Sequence, residues 1–421
     1  MTYIPTLFIF SGSFLYLMKD KLYKYFLFFK LVSVLTVTGL CCYTNINLND
    51  SFYDVLYSTI NENKCLAIKF SQWIINRLNI TYENQEDKPK WLLKFNQFFE
   101  YCPCHNFVYT EQKYFELTQT RILDDYDIES DTILSGSIGQ VYKATHKETG
   151  QIHAIKVKHP DLEEYMFLPR YFIESVIEFI KIITFNNFFI PFDIEMFFMS
   201  LEQQLDFNQE SENIKKMYAN FEDNRLIIIP KILNHNYDII IMSYEEGVYF
   251  EDCPDINEYN RFKVVLTYIL FYHQCCYLDN FNHGDLHQGN WKIRPSHDKK
   301  EFSLVIYDLG ICYSFPNNEV IRKFLESWEN YDMDEMSIYA YKLVENDNDL
   351  STLPRFKKEL NSIFRDNEFK PFRLNKLISL IYNLTKKYRI KFNYSTLNIL
   401  ISAGLCERML IKYKLMNTGI H

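Results

Sequence analysis

His283-Gly-Asp-Leu-His-Gln-Gly-Asn290 is the stretch on which the reading of this chain turns. It sets a carboxylate, Asp285, five residues before a carboxamide, Asn290, on a segment that also holds Gly284 and Gly289. A carboxylate at such a place can accept a proton from a hydroxyl group. A neutral amide oxygen five residues on is a suitable ligand for a hard divalent cation. His283 is read as orienting the segment by packing and hydrogen bonds rather than as transferring a proton. His287 fits a phosphate contact or a purely structural place.

Glycine use supports attention to this stretch. The 421-residue chain has only 11 glycines, and five of them (Gly136, Gly139, Gly284, Gly289, Gly310) fall in three short segments. A sequence so sparing of glycine keeps it where the backbone needs a positive φ or a close approach to a ligand. The first of these segments, Leu134-Ser-Gly-Ser-Ile-Gly-Gln-Val141, lies between two strand-like runs. Ala154-Ile155-Lys156 lies on the next run, and Ile306-Tyr-Asp-Leu-Gly310 is an apolar run ending in D-x-G.

Each segment alone has a bland reading: a hairpin, a surface lysine, a turn. In this order, they match the pattern of a protein-kinase-like nucleotide site. In that pattern, Leu134, Ser135, Gly136, Ser137, Gly139 and Val141 form the loop over the phosphates, with Leu134 in place of the first glycine. Lys156 holds the α/β-phosphates, Asp285 sits by the acceptor oxygen, and Asn290 and Asp308 bind Mg2+. ATP and Mg2+ are the cofactors expected.

Composition limits the other classes. The chain is 48% hydrophobic, with a net charge of −9, which offers no basis for a nucleic-acid partner. Its ten cysteines include the pairs Cys41–Cys42 and Cys275–Cys276 and the spacing Cys102-x-Cys104, but no paired CxxC units. That pattern predicts free thiols in a reducing intracellular compartment. Ile4–Met18 is a short apolar run without the basic start of a secretory signal. Phe26–Tyr43, apolar apart from Lys30, is at the lower edge of a membrane span and reads either as a membrane-associated segment or as helix packed on the domain. The sequence sets no oligomeric state.

The coarse pattern is α+β. Helical spacing dominates from about 50 to 120, including a helix over Asn61–Leu78, with a loop at Glu83–Lys90. Thr132–Val157 alternates as strands do, with Glu148-Thr149-Gly150 as a hairpin turn. Leu226–Ile229, Asp238–Met242, Trp291–Ile293 and Leu304–Tyr307 are further strands, and helices fill most of the remainder. This predicts a two-lobed, protein-kinase-like fold with a small sheet lobe, a larger helical lobe and an N-terminal helical extension. The expected division is a hydrophobic segment at 1–48, a helical extension at 49–128, a sheet lobe with inserted helices at 129–247, and a helical lobe at 248–421.

The wording around these motifs resembles the UbiB/aarF-domain (ADCK-like) family of atypical kinases. Ser137-Ile-Gly-Gln-Val-Tyr-Lys-Ala144 is similar to that family's S-I-[AG]-Q-V-x-x-A, and Ile155-Lys-Val-Lys-His-Pro160 to its V-K-V-Q-H-P. Leu205-Asp-Phe-Asn-Gln-Glu-Ser-Glu-Asn213 is similar to its L-D-x-x-x-E-A-x-N, which implies that Glu210 pairs with Lys156. Lys69-Phe-Ser-Gln72 resembles its K-x-G-Q, on a helix that folds over the nucleotide cleft in relatives and so brings Lys69 and Gln72 to the nucleotide. Lys387-Tyr-Arg-Ile-Lys-Phe and Leu405-Cys-Glu-Arg-Met-Leu resemble its C-terminal helices.

Three positions depart from the family: Ser71 replaces the glycine of K-x-G-Q, Gln204 replaces the glutamate of E-x-D, and Leu134-Ser-Gly-Ser137 replaces an Ala-rich loop. Gln204 removes an ionic partner without removing hydrogen bonding. After Asp308 no peptide-docking segment with A-P-E follows, and helix resumes by about Glu319. Gly284 stands where ordinary protein kinases have the Arg of H-R-D. The resemblance therefore implies an ATPase, or a kinase of small-molecule or lipid-linked substrates, tied to isoprenoid-lipid (quinone) metabolism at a membrane. A small-molecule kinase of the aminoglycoside/choline type shares H-G-D-L-H-x-G-N, and a nucleotide-binding pseudokinase scaffold is a third reading.

Overall fold

The computed structural model describes residues 23–38, 48–63, 67–75, 90–95, 102–129, 133–160, 194–253, 256–297, 301–315, 318–342 and 353–366, less a few positions within these ranges, with isolated residues at 162–182 and 384–388. Ile4–Met18, His287, the loop at Glu83–Lys90 before Lys90, and Leu405-Cys-Glu-Arg-Met-Leu lie outside the described residues. The chain divides into two compact units. One comprises Met1–Ile75, Pro89–Pro103 and Asp161–Ile190, the other Asn76–Lys88, Cys104–Pro160 and Pro191–His421.

In the first unit, helix α1 (Asp50–Glu62) begins where the Asn49 side chain accepts the Phe52 N–H, with Asp50 in the first turn. Helical residues at 23–38 meet α1 through Lys30, whose Nζ lies 2.6 Å from Glu62. The helix read over Asn61–Leu78 is interrupted: α1 closes at Asn63, and helix is found again at 67–72. The cause is tertiary. The Asn63 side-chain amide donates to Leu27 O at 3.1 Å and Thr59 O at 2.9 Å, anchoring the end of α1. α2 (Lys90–Phe95) packs on α1 by stacking Trp91 on Tyr53 and Phe95 on Tyr57. Among the described residues, no helix is long and apolar enough to cross a membrane, so a span at Phe26–Tyr43 finds no support.

The second unit opens with α3 (Phe107–Thr118) and α4 (Ile122–Asp125), then β1 (Tyr126–Ile128), β2 (Leu134–Ser135), β3 (Gly139–His146) and β4 (Ile152–Lys158). α5 (Ile194–Leu205) and α6 (Phe207–Phe221) precede β5 (Ile227–Ile228), β6 (Ile232–His235) and β7 (Ile239–Ser243). An antiparallel sheet of order β1-β3-β4-β7-β6, with β2 also on β3, forms the small lobe. The β3–β4 hairpin turns where expected, with Gly150 at φ 66°. Tyr142, Ile155, Val157 and Ile239 point to one buried face against Tyr114 and Tyr126, the alternation expected of strands with one covered face.

The helical lobe follows, from α7 (Glu258–His273) through β8 (Asn282–His283), β9 (Trp291–Pro295), β10 (Phe302–Ile306) and β11 (Cys312–Tyr313). It continues with α8 (Asn318–Glu329), α9 (Met333–Lys342) and α10 (Leu353–Asp366). α7 runs on into a π-helical turn, Gln274–Leu278, that buries Cys275 and Cys276. One core joins α6 and α7 to β9 and β10 through Met217, Tyr268, Trp291 and Leu304. Another holds α8–α10 together around Phe324, Met336 and Phe356. The six described cysteines are free thiols. Strands β1, β6, β8 and β11 have no counterpart in the sequence reading; each is short, and β6 is a bulged edge strand with half its residues exposed.

Candidate active site

The site is built around a lysine. Lys156 lies near the end of β4, paired with Val141 on one side and Ile240 on the other, so its backbone is fixed in the middle of the sheet. Its Nζ lies 2.6 Å from Glu210 Oε1 and 3.3 Å from Asp308 Oδ1, and 5.2 Å above the Phe207 ring. Burial alone would drive this ammonium toward neutrality. The carboxylates of Asp308 and Glu210 outweigh it and hold the Lys156 pKa above the ordinary lysine range. The side chains of Lys156 and Glu210 are 11% and 2% exposed, whereas that of Asp308 is 48% exposed. The pair is therefore a structural anchor at one end and open to a ligand at the other.

α6 brings Glu210 there for local reasons. Asp206 caps the helix by accepting the Asn208 N–H, so Glu210 falls one turn in, where its charge also meets the positive helix end. Lys158 ties β4 to the preceding helix: its Nζ donates to Leu205 O at 3.1 Å and lies 2.8 Å from Asp238. Gln204, in place of an acid, turns its amide back to Ser200 O at 2.9 Å. A Cβ placed on Gly310 would come 3.4 Å from Gln204 Cγ and 3.2 Å from Asp308 Oδ1, so Gln204 borders the D-x-G turn.

Asp308 itself has φ 52°, a left-handed conformation that costs a non-glycine residue free energy and is kept where the surroundings enforce it. Asn213, one turn after Glu210 on α6, donates to Leu309 O at 2.9 Å and holds this segment. In the catalytic-loop candidate, His283 Nε2 donates to Tyr307 O at 3.0 Å while its Nδ1 accepts the Asp285 N–H at 3.1 Å. Both ring nitrogens are thereby engaged in holding backbone, the orienting role expected of it. Asn290 Nδ2 donates to Asp285 O at 2.9 Å, which fixes the carboxamide and turns its oxygen away from that carbonyl. Asn290 O in turn accepts the Tyr307 N–H at 2.9 Å, so the two segments that carry Asn290 and Asp308 are tied together.

The loop over this site follows its glycines unequally. A Cβ on Gly139 would come 2.8 Å from Val157 O and 3.2 Å from Phe207, so the loop is pressed onto β4 there. At Gly136 the nearest atom would be at 3.6 Å, ordinary contact. Leu134 is 64% exposed at the loop entrance, opposite Val141 in β3, and Ser137 is buried. Gly284 is a packing necessity: a Cβ would meet Ile311 Cγ2 at 2.5 Å. Only β11 and a short connection separate Gly310 from α8.

Thus Lys156, Glu210 and Asp308 come together, and Asp285 and Asn290 are joined by a hydrogen bond. Lys69 and Gln72 belong to the first unit, on helical residues at 67–72 where Ser71 Oγ donates to Ala67 O at 2.8 Å. Asn213 and Phe207 were not singled out from the sequence as site residues. Asn213 had a signal in its place one helical turn beyond Glu210. Among the described residues, no group of three or more His, Cys, Asp or Glu side chains is placed to hold a metal ion. A carboxylate with a carboxamide is instead the donor set of a Mg2+ that takes its other ligands from phosphate and water.

A small antiparallel sheet lobe, a helical lobe and a lysine paired with two acids from separate segments define a kinase-like α+β fold. A family model of the ABC1 atypical kinase-like domain matches residues 116–341, more than half of the sequence. The chain belongs to that family, as its resemblance to UbiB/aarF-domain proteins implied. It is 28% identical over 274 residues to "Probable serine/threonine-protein kinase abkC" of Dictyostelium discoideum, covering 64% of this chain and 38% of that protein. It is 24% identical over 259 residues to "ABC1 family protein MCP2" of Saccharomyces cerevisiae, covering 58% and 45%. To "AarF domain-containing kinase 1" of Drosophila melanogaster, it is 27% identical over 187 residues, covering 44% and 36%. The chain spans less than half the length of these relatives. Among solved structures, its fold is similar to that of Rv3197 from Mycobacterium tuberculosis, solved in complex with erythromycin, with a TM-score of 0.50 and 16% identity over 73% of this chain and 79% of that one.

Proposed function

We propose that this chain is an ATP- and Mg2+-dependent atypical kinase-like enzyme, a phosphotransferase or ATPase whose acceptor is a small molecule or a lipid-linked one. The observation that carries the reading is Lys156 held between Glu210 and Asp308. A buried ammonium with one buried and one exposed carboxylate is suited to a phosphate that displaces part of its pairing. Lys156 and the loop Leu134, Ser135, Gly136, Ser137, Gly139, Val141 would hold the nucleotide phosphates. Asp308 and Asn290 would hold Mg2+, which when bound neutralises the phosphate charge. Asp285 would orient the acceptor oxygen and take its proton.

A protein acceptor is disfavoured because the chain from Gly310 reaches α8 at Asn318 with no room for a peptide-docking segment. An isoprenoid-lipid (quinone) acceptor, and a membrane-surface location for the segment at 26–43, rest on family resemblance. So does the placement of Lys69 and Gln72 at the nucleotide. The test is Mg-ATP binding and turnover for wild type, Asp308→Asn and Lys69→Ala, with and without lipid vesicles. Nucleotide-dependent stabilisation and turnover in wild type, lost in Asp308→Asn, is the expected result. No stabilisation in wild type overturns the reading, binding without turnover turns it into a scaffold, and full turnover in Lys69→Ala removes Lys69 from the site.

A further inference from the structure

We infer that His105 and His159 are positioning residues for the glycine loop, joined in a one-directional hydrogen-bond relay that starts on the loop's own strand and ends at the Gly136 carbonyl. The inference rests on the proposed function only in calling this loop the nucleotide's. The relay itself is read from contacts. Gln140 Nε2 lies 2.6 Å from Tyr142 OH, which lies 2.7 Å from Thr110 Oγ1. Thr110 Oγ1 lies 2.8 Å from His105 Nε2, and His105 Nδ1 lies 2.7 Å from His159 Nδ1. His159 Nε2 reaches Gly136 O at 3.0 Å, with Ser135 Oγ farther off at 3.4 Å.

The direction follows from the ends. A carbonyl oxygen can only accept, so His159 carries its proton on Nε2. In a neutral ring its Nδ1 must then accept, and the donor is His105 Nδ1–H. That makes His105 Nε2 the acceptor of the Thr110 hydroxyl proton. Thr110 Oγ1 accepts from Tyr142, and Tyr142 from the Gln140 amide, which can only donate. The circuit is tied back on itself because Gln140 Oε1 accepts the His105 backbone N–H at 2.9 Å. His159 also donates its own backbone N–H to Ile138 O at 2.9 Å. One residue therefore grips the loop at two carbonyls, Gly136 and Ile138, while α3 supplies Thr110 and the segment just before α3 supplies His105.

A second proton on either ring disrupts this order. On His159 it would set two N–H groups face to face across the 2.7 Å contact. On His105 it would leave the Thr110 hydroxyl proton without its acceptor. Burial and the facing His159 ring push the His105 pKa down to about 4, and burial lowers that of His159, which keeps both rings neutral at neutral pH.

The experiment uses the full chain. Side-chain 15N NMR at pH 7 is expected to show two neutral rings of opposite tautomer, His159 protonated at Nε2 and His105 at Nδ1. The same tautomer on both, or a charged ring, overturns the relay. Amide hydrogen exchange over the loop at 134–139 is expected to be about fivefold faster in His159→Phe and His105→Phe, as for the loss of one hydrogen bond. His105→Asn, whose amide nitrogen stands where Nδ1 does, is expected to restore the wild-type rate. Unchanged loop exchange, or equal acceleration in β4, overturns the positioning role. In turnover, KM for ATP is expected to rise more than kcat falls in the Phe variants and to recover in His105→Asn. If wild type binds no nucleotide, the proposed function fails, while NMR and exchange still decide the relay.

Discussion

The side-chain amide of Asn213 donates to the carbonyl of Leu309 at 2.9 Å, so the helix that presents Glu210 also holds the segment that presents Asp308. Two of the three groups around the site are thus positioned by one helix, α6. Asn213→Ala removes this donor and leaves the Leu309 carbonyl with only the weak Cys312 thiol at 3.6 Å, which costs about 1 kcal/mol. Chemical denaturation should show that loss, and Mg-ATP stabilisation should weaken with it although Asn213 touches no proposed ligand.

Removing one partner of the buried pair should cost more than removing both. Lys156→Met leaves Glu210 charged and enclosed, with an expected destabilisation of roughly 3–5 kcal/mol. Lys156→Met combined with Glu210→Met should recover most of that stability. Neither variant should respond to Mg-ATP. A denaturant series across the double-mutant cycle checks the sign of the coupling.

Asp308→Asn separates fold from chemistry. Asparagine tolerates the left-handed conformation that Asp308 adopts at φ 52°, so the backbone should be retained. The change should alter thermal stability by less than about 1 kcal/mol while abolishing the Mg2+-dependent part of nucleotide binding, because the exposed carboxylate is gone. Titration calorimetry with ATP, with and without Mg2+, reads the difference.

Restoring the arginine of ordinary protein kinases at position 284 should harm the protein. A Cβ there would lie 2.5 Å from Ile311 Cγ2. Gly284→Ala already forces a shift in packing, at an expected cost of about 1–3 kcal/mol, and Gly284→Arg should be at least as destabilising. Thermal unfolding of both variants checks the order.

Stability should fall in mild acid. His105 is held down to about 4 in the folded protein against 6.5 when unperturbed, and burial lowers His159 in the same direction. The unfolded chain then binds more protons between these values, so stability is fully present above about 6.5 and declines as pH falls toward 4. Denaturation at a series of pH values should show this slope, and His105→Phe should flatten it.

The candidate-site residues were legible because chemistry ties residue type to spacing in the kinase-like pattern and, for Glu210, because Leu205–Asn213 resembles a family motif. Lys156, Glu210, Asp285, Asn290 and Asp308 each sit in a short pattern, and glycine scarcity drew attention to three of the segments. The α+β class was legible from strand alternation followed by helical runs. The His105–His159 contact was not, since 54 residues separate two histidines that have no local pattern. The break in the helix read over Asn61–Leu78 was hidden for the same reason, because Asn63 is claimed by Leu27, 36 residues earlier. Such contacts depend on tertiary packing, which leaves no periodic mark in the chain.

The ion pairs at Lys156 span 54 residues to Glu210 and 152 to Asp308. Loop-closure entropy grows with sequence separation, if slowly, so the contact to Asp308 costs more chain entropy than the one to Glu210. A chain that has been synthesised only past Lys156 lacks Asp308, and so lacks one of the two acids that the proposed phosphate site needs. A ligand that bridges Lys156 and Asp308 would therefore stabilise only chains in which these distant segments have met.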